Sequence, residues 1–114
     1  MSSKYLIIIS SGLNEKGKMI AGLNFAKNVH RKKLAEDVKV VFFGPSEEAL
    51  GGKDKDIDNL FNMLTGSGIV PVACSGYAAA KNESENLAKL GFKLEDVSDT
   101  ITHYVDQQYT VITF

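Results

Sequence analysis

The most informative segment of this sequence is the apolar run KYLIIIS at residues 4–10, which is followed by Ser11 and Gly12. The run is short, continuous and rich in β-branched residues, so it predicts a β-strand. A strand that is apolar at successive positions is buried on both faces, as in a parallel sheet covered by helices. The run therefore predicts an α/β fold with a parallel sheet at its centre.

Strand and helix patterns alternate along the rest of the chain. The predicted strands are residues 4–10, 38–43, 69–74 and 109–114. Two helices are predicted at residues 18–35 and 76–90. A further helix carries Ile57 and ends at Gly66, and the last helix is capped by Ser98 or Asp99. Residues 92–97 are ambiguous and include a candidate edge strand. The alternation predicts one domain, residues 1–114, with a three-layer α/β/α sandwich around a mainly parallel sheet of four or five strands.

Three local signals refine these elements. Ser46 is predicted to cap a short helical turn, in which two glutamates suit the positive end of a helix. Asn82 with Glu85 resembles a capping box that restarts the third helix. Pro71 lacks a backbone N–H, so the third strand is predicted to have an irregular or partly unpaired edge.

The composition excludes several classes of protein. Thirteen basic and 14 acidic residues give a net charge of −1, which argues against a nucleic-acid binder. The one basic cluster, residues 30–33, lies at the end of a predicted helix, where cations favour the helix dipole. The longest apolar run is far shorter than a membrane span, and no signal peptide is evident. With one cysteine the chain has no internal disulfide, so we expect a cytoplasmic protein.

The one cysteine, Cys74, follows a predicted strand and precedes a predicted helix. Reactive groups in an open parallel sheet gather beyond the carboxyl ends of the strands, and Cys74 falls at that edge. A helix N-terminus stabilises a thiolate, which is the nucleophilic form of cysteine. Free cysteine is also a common core residue, so the position alone supports a chemical role and a packing role for Cys74 equally.

A second signal is the segment GLNEKGKM at residues 12–19, between a predicted strand and a predicted helix. It matches the phosphate-binding loop G-x-x-x-x-G-K-[ST] through Gly12, Gly17 and Lys18, but Met19 has no hydroxyl for Mg²⁺. Nucleotide hydrolysis is therefore disfavoured. Simple anion binding by Gly12, Gly17 and Lys18 at the helix start stays open.

Metal sites are not predicted. The acids at residues 54–58 lack the glycine and the final glutamate of a calcium loop, and they suit a helix N-terminus better. His30 and His103 lie on different predicted helices, without a cysteine or carboxylate at the spacing of zinc ligands. We therefore expect no metal and no organic cofactor.

Two segments carry a resemblance to a known family. The segments VVFFGP at residues 40–45 and GIVPVACSGYAAA at residues 68–80 resemble the DsrE/DsrF-like family, which includes the TusBCD and DsrEFH sulfur-relay subunits and the YchN-like proteins. The most specific part is a cysteine at a strand end followed by an alanine-rich helix. The resemblance extends over most of the chain.

This resemblance implies a sulfur carrier that functions as a homo-oligomer or hetero-oligomer, often a trimer or hexamer. It implies that Cys74 accepts sulfane sulfur as a persulfide and passes it to a partner thiol. Gly44 and Pro45, together with the Ser75-Gly76-Tyr77 segment, would line the site by position. The implied partners are sulfur donor and acceptor proteins or small thiols.

The alternative is a non-catalytic oligomeric or small-ligand module, in which Cys74 only packs. Its ligand would be an anion or a nucleotide bound at residues 12–18.

Overall fold

A computed structural model describes residues 3–114 of the chain. Its helices and strands are β1 (Lys4–Ile9), α1 (Lys16–Arg31), β2 (Asp37–Phe42), α2 (Lys55–Gly66), β3 (Val72–Cys74), α3 (Ser75–Ala80), α4 (Ser84–Lys89), β4 (Lys93–Glu95), α5 (Val97–Asp106) and β5 (Thr110–Thr113), with 3-10 turns at Leu13–Glu15 and Pro45–Glu48. The order of elements is the predicted alternation of strand and helix.

The five strands form one sheet in the order β4-β3-β2-β1-β5. All four pairings between neighbouring strands are parallel. Helices lie on both faces of this sheet, so the predicted three-layer α/β/α fold is confirmed. The ambiguous segment at residues 92–97 contains β4, which forms one edge of the sheet.

Successive residues of β1 enter two different hydrophobic cores. Ile7 and Ile9 belong to the larger core, which also contains buried residues of α1 and α2. Leu6 and Ile8 belong to a smaller core, which contains Val97 of α5. We call the side of the sheet that carries this smaller core the α5 face. The uniformly apolar β1 sequence is thus explained, because each of its faces is buried against helices.

Two helix caps differ from the sequence predictions. Asp96 caps α5 in place of Ser98 or Asp99, because it leaves β4 in an extended conformation and its carboxylate accepts the Ser98 N–H at 3.0 Å. The predicted Asn82–Glu85 capping box is wrong, since α4 begins after Glu83 without a side-chain cap and Asn82 has a φ of 57°. Positive φ places Asn82 in a turn between α3 and α4.

Ser46 also differs from its predicted role as a cap. Gly44 is the residue that precedes the Pro45–Glu48 turn, and the Ser46 hydroxyl donates to the Ile9 carbonyl at 2.5 Å. Ser46 is fully buried, so its hydroxyl satisfies a backbone acceptor of the neighbouring strand. Its side chain therefore joins the ends of β1 and β2.

The third strand is shorter than predicted and begins after Pro71. Part of the segment predicted as a strand at residues 69–74 is irregular, as the proline predicts, because residues 69–71 lie outside the strand; β3 itself pairs with β2 on one side and β4 on the other. The Pro71 carbonyl still accepts the Lys93 N–H at 2.9 Å. A proline just before a strand costs no ladder hydrogen bond within it.

The first helix begins two residues earlier than predicted and ends at Arg31. Lys33, with a φ of 55°, ends the helical path. Among residues 3–114, no helix combines the length and the apolar character that crossing a membrane requires.

Candidate functional site

Four segments meet at the carboxyl edge of the parallel sheet, as the alternating pattern predicts. The Ser46 N–H donates to the Ser10 carbonyl at 3.0 Å, which joins the segments that follow β2 and β1. The carbonyl of Phe114, after β5, accepts the N–H groups of Ser10 and Ser11 at 2.8 and 3.2 Å. Cys74 ends β3 on the same edge. This edge is where α/β folds place ligands and reactive groups.

Cys74 occupies the residue just before the first turn of α3. Its Sγ accepts the backbone N–H of Tyr77 at 3.5 Å, in the manner of a helix N-cap. The residue is half-buried and packs against the smaller core on the α5 face. Glu95 of β4 is its register partner in the sheet. The sulfur thus has a helix N–H donor on one side and an apolar wall on the other.

Glu47 is the functional candidate that sequence analysis missed. Its side chain is fully buried, and its Oε2 accepts the Gly44 N–H at 3.0 Å. The other oxygen, Oε1, has no hydrogen-bond partner among residues 3–114. In the sequence Glu47 looks like an acid at a helix start, which is normally exposed. It belongs to the Pro45–Glu48 turn, in which Ser46 is hydrogen-bonded to the Ile9 and Ser10 carbonyls at the end of β1, and no local pattern signals its burial.

Burial is the main cause of an unusual pKa for Glu47. It raises the pKa of this carboxyl to about 7, because the charged form loses its hydration. The backbone N–H groups of Gly44 and then Cys74 lower this pKa, and the neighbouring Glu48 raises it.

Tyr77 connects the cysteine to the segment after β2. Its backbone N–H contacts the Cys74 sulfur, and its hydroxyl donates to Glu48 Oε2 at 2.5 Å. The hydrogen bond to Glu48 is the main reason why the pKa of Tyr77 rises to about 12, so its hydroxyl keeps its proton at neutral pH. Tyr77 was predicted to line the Cys74 site, and its N–H lies against the sulfur.

A cavity of about 480 Å³ opens beside these residues. Its lining consists of the loop after β1 and two residues of the turn after β2: Ser10, Ser11, Gly12, Leu13, Asn14, Glu15, Pro45 and Glu48. The sulfur of Cys74 does not line this cavity, although Tyr77 contacts both Cys74 and Glu48. The two carboxylates in the lining give the cavity an acidic character.

The other residues that were predicted to line the cysteine site lie at two strand ends. Gly44 has a φ of 102°, and Pro45 borders the cavity. Ser75 and Gly76 form the first turn of α3, and a Cβ added to Gly76 would meet no atom within 4 Å. There is therefore free space beside the backbone at Gly76, two residues after Cys74.

The segment predicted to bind an anion is not an open loop. Residues 13–15 form a 3-10 turn, and Gly17 and Lys18 lie in the first turn of α1. Lys18 Nζ pairs with Glu15 at 2.7 Å, and this contact raises the pKa of Lys18. A Cβ on Gly12 would lie 2.6 Å from the Pro45 carbonyl oxygen, so close approach of the chain explains this glycine.

Among the described residues no group of three metal-ligating side chains comes together. His30 Nε2 lies 2.9 Å from the Ser67 carbonyl oxygen, and His103 packs edge-on against Tyr104. Neither contact is with Cys74.

No protein-family model and no curated protein matches this chain. Its structure is similar to that of a conserved protein of unknown function from Bacteroides thetaiotaomicron, with a TM-score of 0.82 and 16% identity over 98% of this chain and 95% of that chain. It is also similar to the crystal structure of the ychN protein from E. coli, with a TM-score of 0.75 and 12% identity over 100% of both chains. These neighbours support the predicted DsrE-like fold, and at such identities the likeness concerns the fold alone.

Proposed function

We propose that this protein carries sulfane sulfur as a persulfide on Cys74 and passes it to a partner thiol. The supporting observation is the contact between Sγ of Cys74 and the Tyr77 N–H at the start of α3. A helix N-terminus favours an anionic sulfur, whether thiolate or persulfide. The position of Cys74 at the carboxyl edge of a parallel sheet agrees with such a role.

The proposed chemistry is a pair of thiol–disulfide-type exchanges. The Cys74 thiolate attacks the outer sulfur of a donor persulfide, a new S–S bond forms on Cys74, and the donor leaves as a thiolate. An acceptor thiolate then attacks the outer sulfur of the Cys74 persulfide, and the Cys74 thiolate is released. Each step moves one sulfur atom without net oxidation, so the scheme requires no metal or organic cofactor.

The proposed partners are sulfur donor and acceptor proteins or small thiols, in the cytoplasm. The homo-oligomer that the family resemblance implies, a trimer or hexamer, belongs to the same proposal. Exposed apolar side chains such as Phe43, Val70 and Val111 offer surface for association. The near-zero net charge gives no electrostatic attraction to nucleic acid.

The decisive experiment is intact-mass analysis after incubation with polysulfide, followed by transfer to a small thiol. The expected result is a gain of one sulfur mass that disappears when the thiol is added. Cys74→Ser is the direct control and should gain nothing. Absence of the gain in the native protein, or its persistence in Cys74→Ser, would contradict the proposal.

The packing of Cys74 favours a second candidate, in which the cysteine is only structural. Cys74 contacts the core that contains Val41 and Val97, as a packing residue would. That candidate predicts slow alkylation of Cys74 by a haloacetamide at neutral pH and loss of stability in Cys74→Ser. Rapid alkylation together with an unchanged melting temperature in Cys74→Ser would eliminate it.

The cavity bordered by Ser10 and Glu48 favours a small-ligand module as a variant of this candidate. An anion or nucleotide that binds at residues 12–18 of the folded chain must raise the melting temperature. The carboxylates of Glu15 and Glu48 oppose anion binding there, so we expect no shift with nucleotide or inorganic phosphate. A clear upward shift would restore the ligand-binding candidate.

A further inference from the structure

One edge of the sheet is an exposed strand without charged side chains. β5 pairs with β1 on one side and has no strand on its other side within residues 3–114. The segment YTVITF at residues 109–114 contains no charged residue and no proline, and β5 keeps a continuous register with β1. Soluble proteins commonly protect such an edge with charged side chains, a proline or a bulge, because its unpaired backbone groups bind other strands. β5 has none of these three protections.

The opposite edge of the same sheet differs in this respect. β4 has the sequence Lys93-Leu94-Glu95, so a charged side chain stands at each of its ends. A strand that paired with β4 would meet these charges. The sheet is therefore protected at β4 and open at β5.

The backbone groups of Val111 and Thr113 point to the open side of β5. The Phe114 N–H donates to the Ile8 carbonyl at 2.8 Å, so the backbone of Phe114 faces β1. Because the N–H and C=O groups of successive strand residues point to alternate sides, the backbone of Ile112 faces β1 as well. The N–H and C=O groups of Val111 and Thr113 then face outward, where another strand could pair with them.

We propose that β5 pairs antiparallel with β5 of a second copy of this chain, about a two-fold axis perpendicular to the sheet. An axis at Ile112 places Val111 opposite Thr113 of the partner subunit. Each outward N–H then meets an outward C=O, which gives roughly four backbone hydrogen bonds. Two copies meet there without electrostatic repulsion, because residues 109–114 carry no charged side chain. The two five-stranded sheets become one continuous sheet.

Side chains on both faces of the pair support the same contact. Val111 is the register partner of Leu6, so its side chain lies on the α5 face. It is 40% exposed, and in the pair it packs against Thr113 of the partner subunit. On the other face Ile112 lies opposite Ile112 of the partner subunit, at the position where antiparallel pairing brings side chains closest. β-branched residues such as these favour cross-strand contacts.

The proposed contact deepens the homo-oligomer of the sulfur-carrier proposal. Since the same segment is used by both copies, the contact is isologous and creates a two-fold axis. A cyclic trimer has no such axis, whereas a dimer has one and a hexamer of two trimers can contain it, so we expect an even number of chains. The argument rests on the sheet edge and not on sulfur chemistry. The sulfur-mass experiment on the native protein and the two experiments below therefore succeed or fail separately.

The first experiment measures the molar mass in solution by light scattering. We expect an even number of chains for the native protein. Val111→Lys adds a charge at the open edge and should halve the molar mass, with a native circular dichroism spectrum. Met63→Lys is the matched control, because it adds the same charge at a 50% exposed side chain of α2, and it should leave the molar mass unchanged. A monomeric or trimeric native protein, or equal molar masses for the two folded variants, would overturn the proposal.

The second experiment uses the native protein and so does not depend on the folding of a variant. Amide hydrogen exchange of β5 is followed by NMR in the oligomer. The Ile112 N–H pairs within the chain and should be protected in any state of assembly. The N–H groups of Val111 and Thr113 should exchange at least about tenfold more slowly in the oligomer than in the monomer obtained by dilution or by Val111→Lys. Fast exchange of these two amides in the oligomer would show that β5 is not the interface.

Discussion

The hydroxyl of Tyr77 donates a 2.5 Å hydrogen bond to the carboxylate of Glu48, while the backbone N–H of the same tyrosine contacts the sulfur of Cys74. The helix that follows β3 is thereby tied to the turn that follows β2. This tie holds the start of α3 against the neighbouring strand end, and the sulfur lies at that start. The contact links residues that are 29 positions apart in the chain.

Removal of this hydroxyl should weaken the fold without moving the sulfur. Tyr77→Phe loses a hydrogen bond to a charged, half-buried acceptor, so we expect its free energy of unfolding to fall by about 1–2 kcal/mol. Urea denaturation measures the change, and a double-mutant cycle with Glu48→Ala isolates the pair. Additive effects of the two substitutions would show that the contact contributes nothing of its own.

Glu47 should make stability depend on pH between about 4.5 and about 7. Its carboxyl has a pKa near 4.5 in the unfolded chain and about 7 in the native protein, so the native state holds more protons in this interval. The contribution of Glu47 to stability is therefore highest below this interval and falls as the pH rises through it, by about 3 kcal/mol in total. The measurement is the free energy of unfolding in urea at a series of pH values.

Glu47→Gln provides the comparison for this pH dependence. Because Gln does not titrate, the difference in free energy of unfolding between the two proteins should change steadily across the same pH interval. A constant difference would mean that Glu47 titrates alike in the native and unfolded states.

Two glycines of the segment at residues 12–18 should respond oppositely to alanine. In Gly12→Ala the new Cβ would overlap the Pro45 carbonyl group, at 2.6 Å from its oxygen and 2.8 Å from its carbon, so the backbone must shift. We expect a loss of about 1–3 kcal/mol. Gly17 lies in α1 with no atom within 4 Å of an added Cβ, and Gly17→Ala should stabilise by up to about 1 kcal/mol.

Thermal denaturation of the two variants side by side tests this difference, since each adds one methyl group. If both variants lose stability equally, the close approach of Gly12 to Pro45 does not explain why residue 12 is a glycine.

Replacement by alanine should destabilise the protein to different extents at the two adjacent phenylalanines at the end of β2. Phe42 is fully buried and packs edge-on against Phe61 and Phe92, with ring centroids 5.8 and 5.1 Å away. Phe42→Ala should cost about 3–5 kcal/mol, because it leaves a cavity and removes both aromatic contacts. Phe43 is 41% exposed, and Phe43→Ala should cost less than about 1 kcal/mol. Similar losses of free energy of unfolding in urea would contradict the assigned burial.

Local patterns were sufficient to predict most of the architecture. A continuous apolar run predicted β1, because strands covered on both faces must be apolar at successive positions. The helical spacing of Ile57, Leu60, Phe61 and Leu64 predicted α2, in which Leu60 is partly buried and the other three are buried. Boundaries and caps were less accurate. Asp96, for example, caps α5 because β4 ends one residue before it, and from the sequence residues 92–97 were only an ambiguous segment with a candidate edge strand.

For the candidate site, the sequence by itself determined that a lone cysteine stands between a strand and a helix, since both elements have local signatures. Only the tertiary structure decided what surrounds its sulfur. The N–H of Tyr77 is a local contact with the sulfur, but Glu48, which accepts a hydrogen bond from the Tyr77 hydroxyl, comes from another strand end, 26 residues before Cys74. Burial of Glu47 depends on how that turn packs against the sheet, and burial is what changes the pKa of a carboxyl. A sequence records which side chains are present, whereas desolvation arises only when distant segments close around one of them.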